Sequence, residues 1–265
     1  MKILIVSDEE SPALWDYYQP GRLKDYDLII SCGDLKAKYL SFLVTMARCP
    51  LLYVHGNHDT SYVKEPPGGC DCIDDMLIEY NGLRILGLGG CRRYHPGEHQ
   101  YTERQMRRRI RRLRWHLWRS GGVDIVVTHT PPEGVGDAED RAHWGFECFR
   151  SLLDRYKPMY LFHGHVHFSY GMERIREREY GKTKVINASE RYELEIPDRE
   201  FPEKRRNQII WRTRYKDPYP DDYMCGATAP NKPSPGEKVP PVLTLGAEEE
   251  CGQKCQILYA ETDFR

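Results

Sequence analysis

The sequence predicts an α/β fold with mixed sheets. Three observations carry that prediction. Short apolar runs, several rich in Val, Ile or Leu, recur through residues 1–195. Segments with helical patterning separate them. At Asn81-Gly82 two apolar runs follow one another directly, and both residues tolerate the positive φ of a tight hairpin. Parallel crossovers are therefore expected early in the chain and an antiparallel hairpin in its middle.

In order, strands are expected over 2–6, 27–31, 51–55, 76–80, 83–88, 123–128, 159–163 and 183–187, and helices over 35–48, 102–119 and 146–157. Pro50 and Pro158 end the first and third helices, because proline cannot continue a helix. The helix at 102–119 is the best defined locally. Thr102 and Gln105 form a capping box, Met106, Ile110, Leu113 and Leu117 make one apolar stripe, and Gly121-Gly122 closes it. The other face holds Arg104, Arg107, Arg108, Arg109, Arg111, Arg112, Arg114 and Arg119. Three uses fit such a face: a solvated surface paired with acids, a nucleic-acid or polyphosphate surface, or a protein or oligomer contact. Prolines, charges and turn residues dominate 217–241, so 216–250 reads as an irregular linker or wrapping segment. Gln256–Tyr259 is a short apolar patch suited to an edge strand. No internal repeat is evident. The expected organisation is a domain over 1–200 and a partly irregular C-terminal extension over 201–265.

The chain has 265 residues, 40% hydrophobic and 30% charged, enough for a substantial core and against wholesale disorder. A net charge of −1 names no partner. No apolar stretch approaches the roughly 20 residues of a membrane span. Asp8, Glu9 and Glu10 interrupt the first apolar run, unlike a secretory signal, so a cytoplasmic location is expected. Nine scattered cysteines agree. Cys70-Asp71-Cys72 with Cys251 and Cys255 could bind zinc, but neither pair has the CxxC spacing usual at structural zinc sites, and ordinary reduced thiols are the simpler reading.

Chemistry gathers at five junctions where an apolar run ends in polar residues. Ile3–Val6 runs into Ser7-Asp8-Glu9-Glu10, and Leu28–Ile30 into Gly33-Asp34. Leu51–Val54 runs into Gly56-Asn57-His58-Asp59, Ile125–Val127 into Thr128-His129, and Tyr160–Phe162 into Gly164-His165-Val166-His167. Each junction alone has an ordinary reading as a turn, a cap or a surface feature. Together they deliver carboxylates, an amide and imidazoles to the carboxyl ends of strands, where open sheets bind ligands. If the backbone stays extended, Asp8 and Glu10 share a face, as do His165 and His167.

This ordered set resembles the calcineurin-like metallophosphoesterases, whose pattern is Asp-x-His, Gly-Asp, Gly-Asn-His-Asp/Glu, a lone His and Gly-His-x-His. The resemblance spans residues 1 to about 190. It implies a two-layer mixed β-sandwich flanked by helices and a dinuclear metal centre. By analogy Asp8, Glu10, Asp34 and His167 hold one ion, and Asp34, Asn57, His129 and His165 the other, with Asp34 bridging. The chain departs from the pattern at Glu10, where the family has histidine. Ligation by Glu10 would favour manganese or iron, with zinc or nickel as further candidates; otherwise that position is weakened.

Two ions ~3.5–4 Å apart can activate a hydroxide and neutralise phosphoryl charge during in-line attack. His58 is the expected proton donor to the leaving group, with Asp59 orienting its ring. His55 and His163, just before two of the motifs, read as supporting or core histidines, and His95, His99 and His143 as loop residues. Arg93 and Tyr94, in a Gly-rich loop over 89–101, are the expected substrate contacts. The expected activity is therefore hydrolysis of a phosphate monoester or diester on a phosphorylated small molecule or nucleotide. Two alternatives are a catalytically silent scaffold that binds proteins and a nuclease, the latter suggested by the arginines alone.

Overall fold

The computed structural model describes residues 1–167, 175–197 and the backbone of 209–211. The expected linker over 216–250, the patch at Gln256–Tyr259, and Cys251 and Cys255 lie outside the described residues. Strands run over Lys2–Ser7 (β1), Leu28–Ser31 (β2), Leu51–Tyr53 (β3), Asp71–Cys72 (β4), Met76–Tyr80 (β5), Leu83–Leu88 (β6), Cys91–Arg92 (β7) and Gln100–Tyr101 (β8). They continue over Ile125–Thr128 (β9), Tyr160–His163 (β10), Glu177–Tyr180 (β11), Thr183–Asn187 (β12), Glu190–Glu195 (β13) and Ile209–Trp211 (β14). Helices cover Ala37–Ala47 (α1), Glu103–Arg119 (α2) and Glu147–Tyr156 (α3). The α/β class and the expected hairpin are both present: Asn81 (φ +45°) and Gly82 (φ +71°) turn β5 into antiparallel β6.

Two sheets form the sandwich. One has the order β13-β1-β2-β3-β4, with β1 to β4 parallel. The other has the order β11-β12-β10-β9-β6-β5-β14, with β12, β10, β9 and β6 parallel. Strand alternation assigns each apolar side chain to a layer. Ile3 and Ile5 of β1 enter the core between the sheets with Ile30, Ile85, Val127 and Phe162. Leu4 and Val6, their neighbours, face outward and pack with Tyr39, Leu40 and Leu43 of α1. On the far side Leu86, Val126 and Leu161 meet Met106 and Leu113 of α2 and Phe149 of α3. Four layers result, helix, sheet, sheet, helix. Burial on both faces explains why these strands read as continuous apolar runs. Each fully buried Leu, Ile or Val contributes about 1.5–3 kcal/mol.

The α2 capping box forms as expected, with the Thr102 amide donating to Gln105 Oε1 at 2.8 Å and the Gln105 amide to Thr102 Oγ1 at 3.3 Å. One arginine was misplaced by the helical reading. Arg109 is buried, not solvated. It lies three residues after Met106 and four before Leu113, on the packed stripe. Its Nε donates to Asp75 at 2.8 Å, its Nη1 to the Gly89 carbonyl at 2.6 Å, and its guanidinium stacks over Tyr101. Beyond residue 200, β14 adds antiparallel to β5, so that part of the chain joins the second sheet. No helix among the described residues is long and apolar enough to cross a membrane.

Candidate metal centre

The parallel strands of both sheets deliver their carboxyl ends to one cleft. Asp8 follows β1, Asp34 follows β2, Asn57 follows β3, His129 follows β9 and His165 follows β10. Three of these five residues turn the chain in the left-handed region, Asp8 at φ +64°, Asp34 at φ +58° and His165 at φ +66°. Such backbone is costly for non-glycine residues and collects at functional sites. Glycines make the close approach: a Cβ at Gly56 would collide with Asp34 Oδ1, and one at Gly164 with Ser7 Oγ and Asp8 Oδ2.

The hydrogen bonds fix where the lone pairs point. His129 Nδ1 lies 2.8 Å from the Cys32 carbonyl, and His165 Nε2 lies 2.7 Å from the Ala142 carbonyl. A carbonyl only accepts, so those ring nitrogens carry the protons. His129 Nε2 and His165 Nδ1 then present lone pairs to each other across 3.1 Å. Asn57 Oδ1 stands 3.0 Å and Asp34 Oδ2 3.2 Å from the same His129 nitrogen. Asn57 Oδ1 is aimed there while its Nδ2 donates to Tyr94 Oη at 3.3 Å.

Four electron-rich atoms facing one point call for a positive charge. Burial opposes charge on His129, yet attraction and contact from Asp34, then Asp8, raise its pKa to about 9. His165 is pushed down to about 3, by burial first and by His129 second. A proton on His129 can bridge to one acceptor at a time, whereas a metal ion satisfies all four. The second sign of a cation is Asp8. Its Oδ1 accepts from the His165 amide at 2.9 Å, but Oδ2 is buried with no hydrogen-bond partner among the described residues. An oxygen left so is expensive unless a cation meets it. Nitrogen and oxygen donors of this kind fit a divalent first-row metal.

The remaining expected residues are placed as follows. His167 is exposed, with Nδ1 3.4 Å from Glu9 Oε1. Glu10 does not share a face with Asp8: its carboxylate pairs with Lys36 Nζ at 3.3 Å. The positive φ at Asp8 breaks the extended alternation on which the Asp8–Glu10 expectation rested, and it is Glu9 that meets His167. The same break at His165 sends His165 inward and leaves His167 at the surface. His58 is exposed, its backbone amide donating to Asp34 Oδ1 at 2.7 Å. Asp59 does not orient the His58 ring. Its Oδ2 instead accepts from the amides of Gly56 at 2.7 Å and Asp34 at 2.8 Å, shaping the turn from within. Burial, then Asp34, raises its pKa to about 6.

Tyr94 reaches the centre through Asn57, while Arg93 is exposed with Nη2 3.5 Å from the Gln100 carbonyl. Both line a groove of about 430 Å³ with Arg92, His95 and Arg141. The sequence reading missed Arg92 and Arg141 because nothing local marks two distant arginines as neighbours. It also missed Asp74, whose Oδ2 lies 2.7 Å from His55 Nδ1 and whose Oδ1 accepts from the Gly89 amide at 2.7 Å.

The chain is similar to several known proteins. A "UPF0046 protein K07C11.7" of Caenorhabditis elegans is 25% identical over 222 residues, covering 72% of this chain and 70% of its own length. A lariat debranching enzyme of Entamoeba histolytica is 26% identical over 173 residues, covering 53% of this chain and 46% of its own length. The crystal structure of TT1561 of Thermus thermophilus superposes with a TM-score of 0.49 at 18% identity, covering 71% of this chain and 88% of that one. The profile of the calcineurin-like phosphoesterases matches residues 1–169. That match takes in all the strand-end residues gathered in the cleft, and the chain belongs to the calcineurin-like phosphoesterase family.

Proposed function

We propose that the protein is a metal-dependent phosphoesterase that hydrolyses a phosphate monoester or diester. The observation that carries the reading is the meeting of His129 Nε2, His165 Nδ1, Asn57 Oδ1 and Asp34 Oδ2 around one point. These four would hold one divalent ion. Asp8, Asp34 and His167 would hold a second, with Glu9 Oε1 3.4 Å from His167 Nδ1 and Asp34 shared. When bound, the pair of ions would supply an activated water and a sink for phosphoryl charge, and with Glu9 in place of Glu10 as the extra carboxylate manganese stays the expected ion.

The chain's own residues do the rest. The Cys32 and Ala142 carbonyls hold the two imidazoles in the tautomers that ligation needs. Asp59 fixes the turn that presents Asn57 and His58. His58, exposed and with its backbone amide tied to Asp34, would pass a proton to the departing oxygen. Tyr94, Arg92, Arg93 and Arg141 give the neighbouring groove donors suited to phosphate oxygens. The test is turnover of p-nitrophenyl phosphate and bis(p-nitrophenyl) phosphate with added Mn²⁺. Hydrolysis of either, abolished by chelation, supports the reading. Bound metal with no turnover of either favours a protein-binding scaffold.

A second reading, a nuclease, draws on the outer face of α2. Arg104, Arg108, Arg111, Trp115 and Trp118 are exposed there at spacings of three or four residues, with Trp115 52% and Trp118 76% exposed. Guanidinium groups beside open indole rings suit a phosphate backbone with stacked bases. The lariat debranching enzyme relative points the same way. Cleavage of single-stranded or duplex oligonucleotides, weakened by neutralising Arg104 and Arg111, would support it.

A further inference from the structure

We propose that His55, Cys72, Asp74 and His99 form a separate structural zinc site behind the catalytic cleft. The inference does not depend on the proposed reaction. One ligand atom from each of His55, Asp74 and His99 lies within 4.8 Å of those of the other two. Cys72 Sγ stands 3.7 Å from His55 Nδ1, and Asp74 Oδ2 stands 2.7 Å from that same nitrogen. A tetrahedral zinc with bonds of about 2.0–2.3 Å holds its ligands roughly 3.3–3.7 Å apart, so closing the shell would open the 2.7 Å His55–Asp74 pair and turn one imidazole out of the His55–His99 stack. The donors are a thiol, two imidazoles and a carboxylate. That set is softer than the oxygen- and nitrogen-only cluster at His129 and selects zinc over manganese.

The four residues come from three pieces of chain. His55 follows β3, Cys72 ends β4, Asp74 lies between β4 and β5, and His99 precedes β8. Cys72 and Asp74 are two apart, so a locally extended chain puts both on one side. His99 adopts φ +53°, and its ring lies parallel to that of His55, with centroids 4.4 Å apart and planes 6° apart. His99 is buried at 4% exposure. The approach is close: a Cβ at Gly89 would collide with Asp74 Oδ1 and the His55 backbone. An ion there would tie β3, whose next residues carry Asn57, to the loop that carries Tyr94. Binding exchanges Zn²⁺ for the Cys72 thiol proton and the proton shared by His55 and Asp74, so the net charge of the cluster is unchanged. Neither Cys70 nor Cys72 is in a disulfide.

The experiment uses the full chain, purified, stripped of metal and reloaded with Co²⁺ or Zn²⁺. The wild type should show a thiolate-to-cobalt charge-transfer band in the near ultraviolet. Cys72→Ser should lose that band and about one zinc equivalent while still taking up Mn²⁺ at the other cluster. His99→Asn should weaken zinc retention against chelator, and Cys70→Ser should change neither band nor zinc content. If Cys72→Ser does not fold, the wild-type cobalt spectrum decides alone. Absence of the thiolate band in the wild type, or its persistence in folded Cys72→Ser, overturns the proposal.

Discussion

Asn57, His129 and His165 are buried, and each is held by a bond to a carbonyl or a tyrosine hydroxyl, whereas Glu9 and His167 across the cleft stand in solvent. On the first side the donors are already aimed. On the second, long side chains must be ordered when an ion arrives, at about 1–2 kcal/mol for a glutamate. The difference teaches that preorganisation is unevenly distributed. The His129 side should load first and tightly, the His167 side second and more weakly. Titration of the metal-free protein with Mn²⁺ should show two phases, and a single phase with equal sites would break the contrast.

Substitutions sharpen it, beginning with the largest effect. His129→Ala removes the nitrogen on which three other donors converge, so phosphoesterase activity should fall by roughly 10³-fold or more, on the order of losing a main electrostatic element. The tight phase of metal binding should vanish with it. Activity near wild type would mean the buried side is not the centre. His58→Ala should lower kcat by about 10²–10⁴-fold, as for loss of a general acid, while both phases of metal binding persist. Loss of metal along with turnover would make His58 structural.

Glu9→Ala should weaken the loose phase by roughly 10–100-fold, and Glu10→Ala, which frees Lys36, should leave it nearly unchanged. The reverse order in calorimetric titration would return Glu10 to the metal. The smallest effect is expected at Tyr94→Phe, which removes the acceptor for Asn57 Nδ2. It should weaken tight metal binding by the equivalent of about 0.5–1.5 kcal/mol. A larger loss would mean that Tyr94, not the backbone turn, aims the amide.

Strands buried on both faces were legible because their apolar runs are short, rich in Val, Ile or Leu, and end in turn residues. β13, Glu190–Glu195, was not: it is an edge strand in which only Tyr192 and Leu194 interrupt a charged run, and backbone pairing with β1 defines it. β11 fails for the same reason, and β4, β7 and β8 have two residues each. In the cleft, residue types at strand ends were legible but side-chain directions were not. A left-handed residue at Asp8 redirects everything after it, so Glu9 and Glu10 exchange the places that alternation assigns them. Asp59 was read as a partner of His58 because they are adjacent, yet the tight turn spends its carboxylate on Gly56 and Asp34. Arg109 shows the opposite lesson, since its spacing from Met106 and Leu113 already marked it as buried.

The most direct measurement is diffraction from crystals grown with Mn²⁺, collected at the manganese absorption edge. An anomalous peak within about 2.0–2.4 Å of His129 Nε2, His165 Nδ1, Asn57 Oδ1 and an Asp34 oxygen is the predicted result. Density in which His129 Nε2 instead donates a hydrogen bond to one of these atoms, with no peak in the cleft, would contradict it.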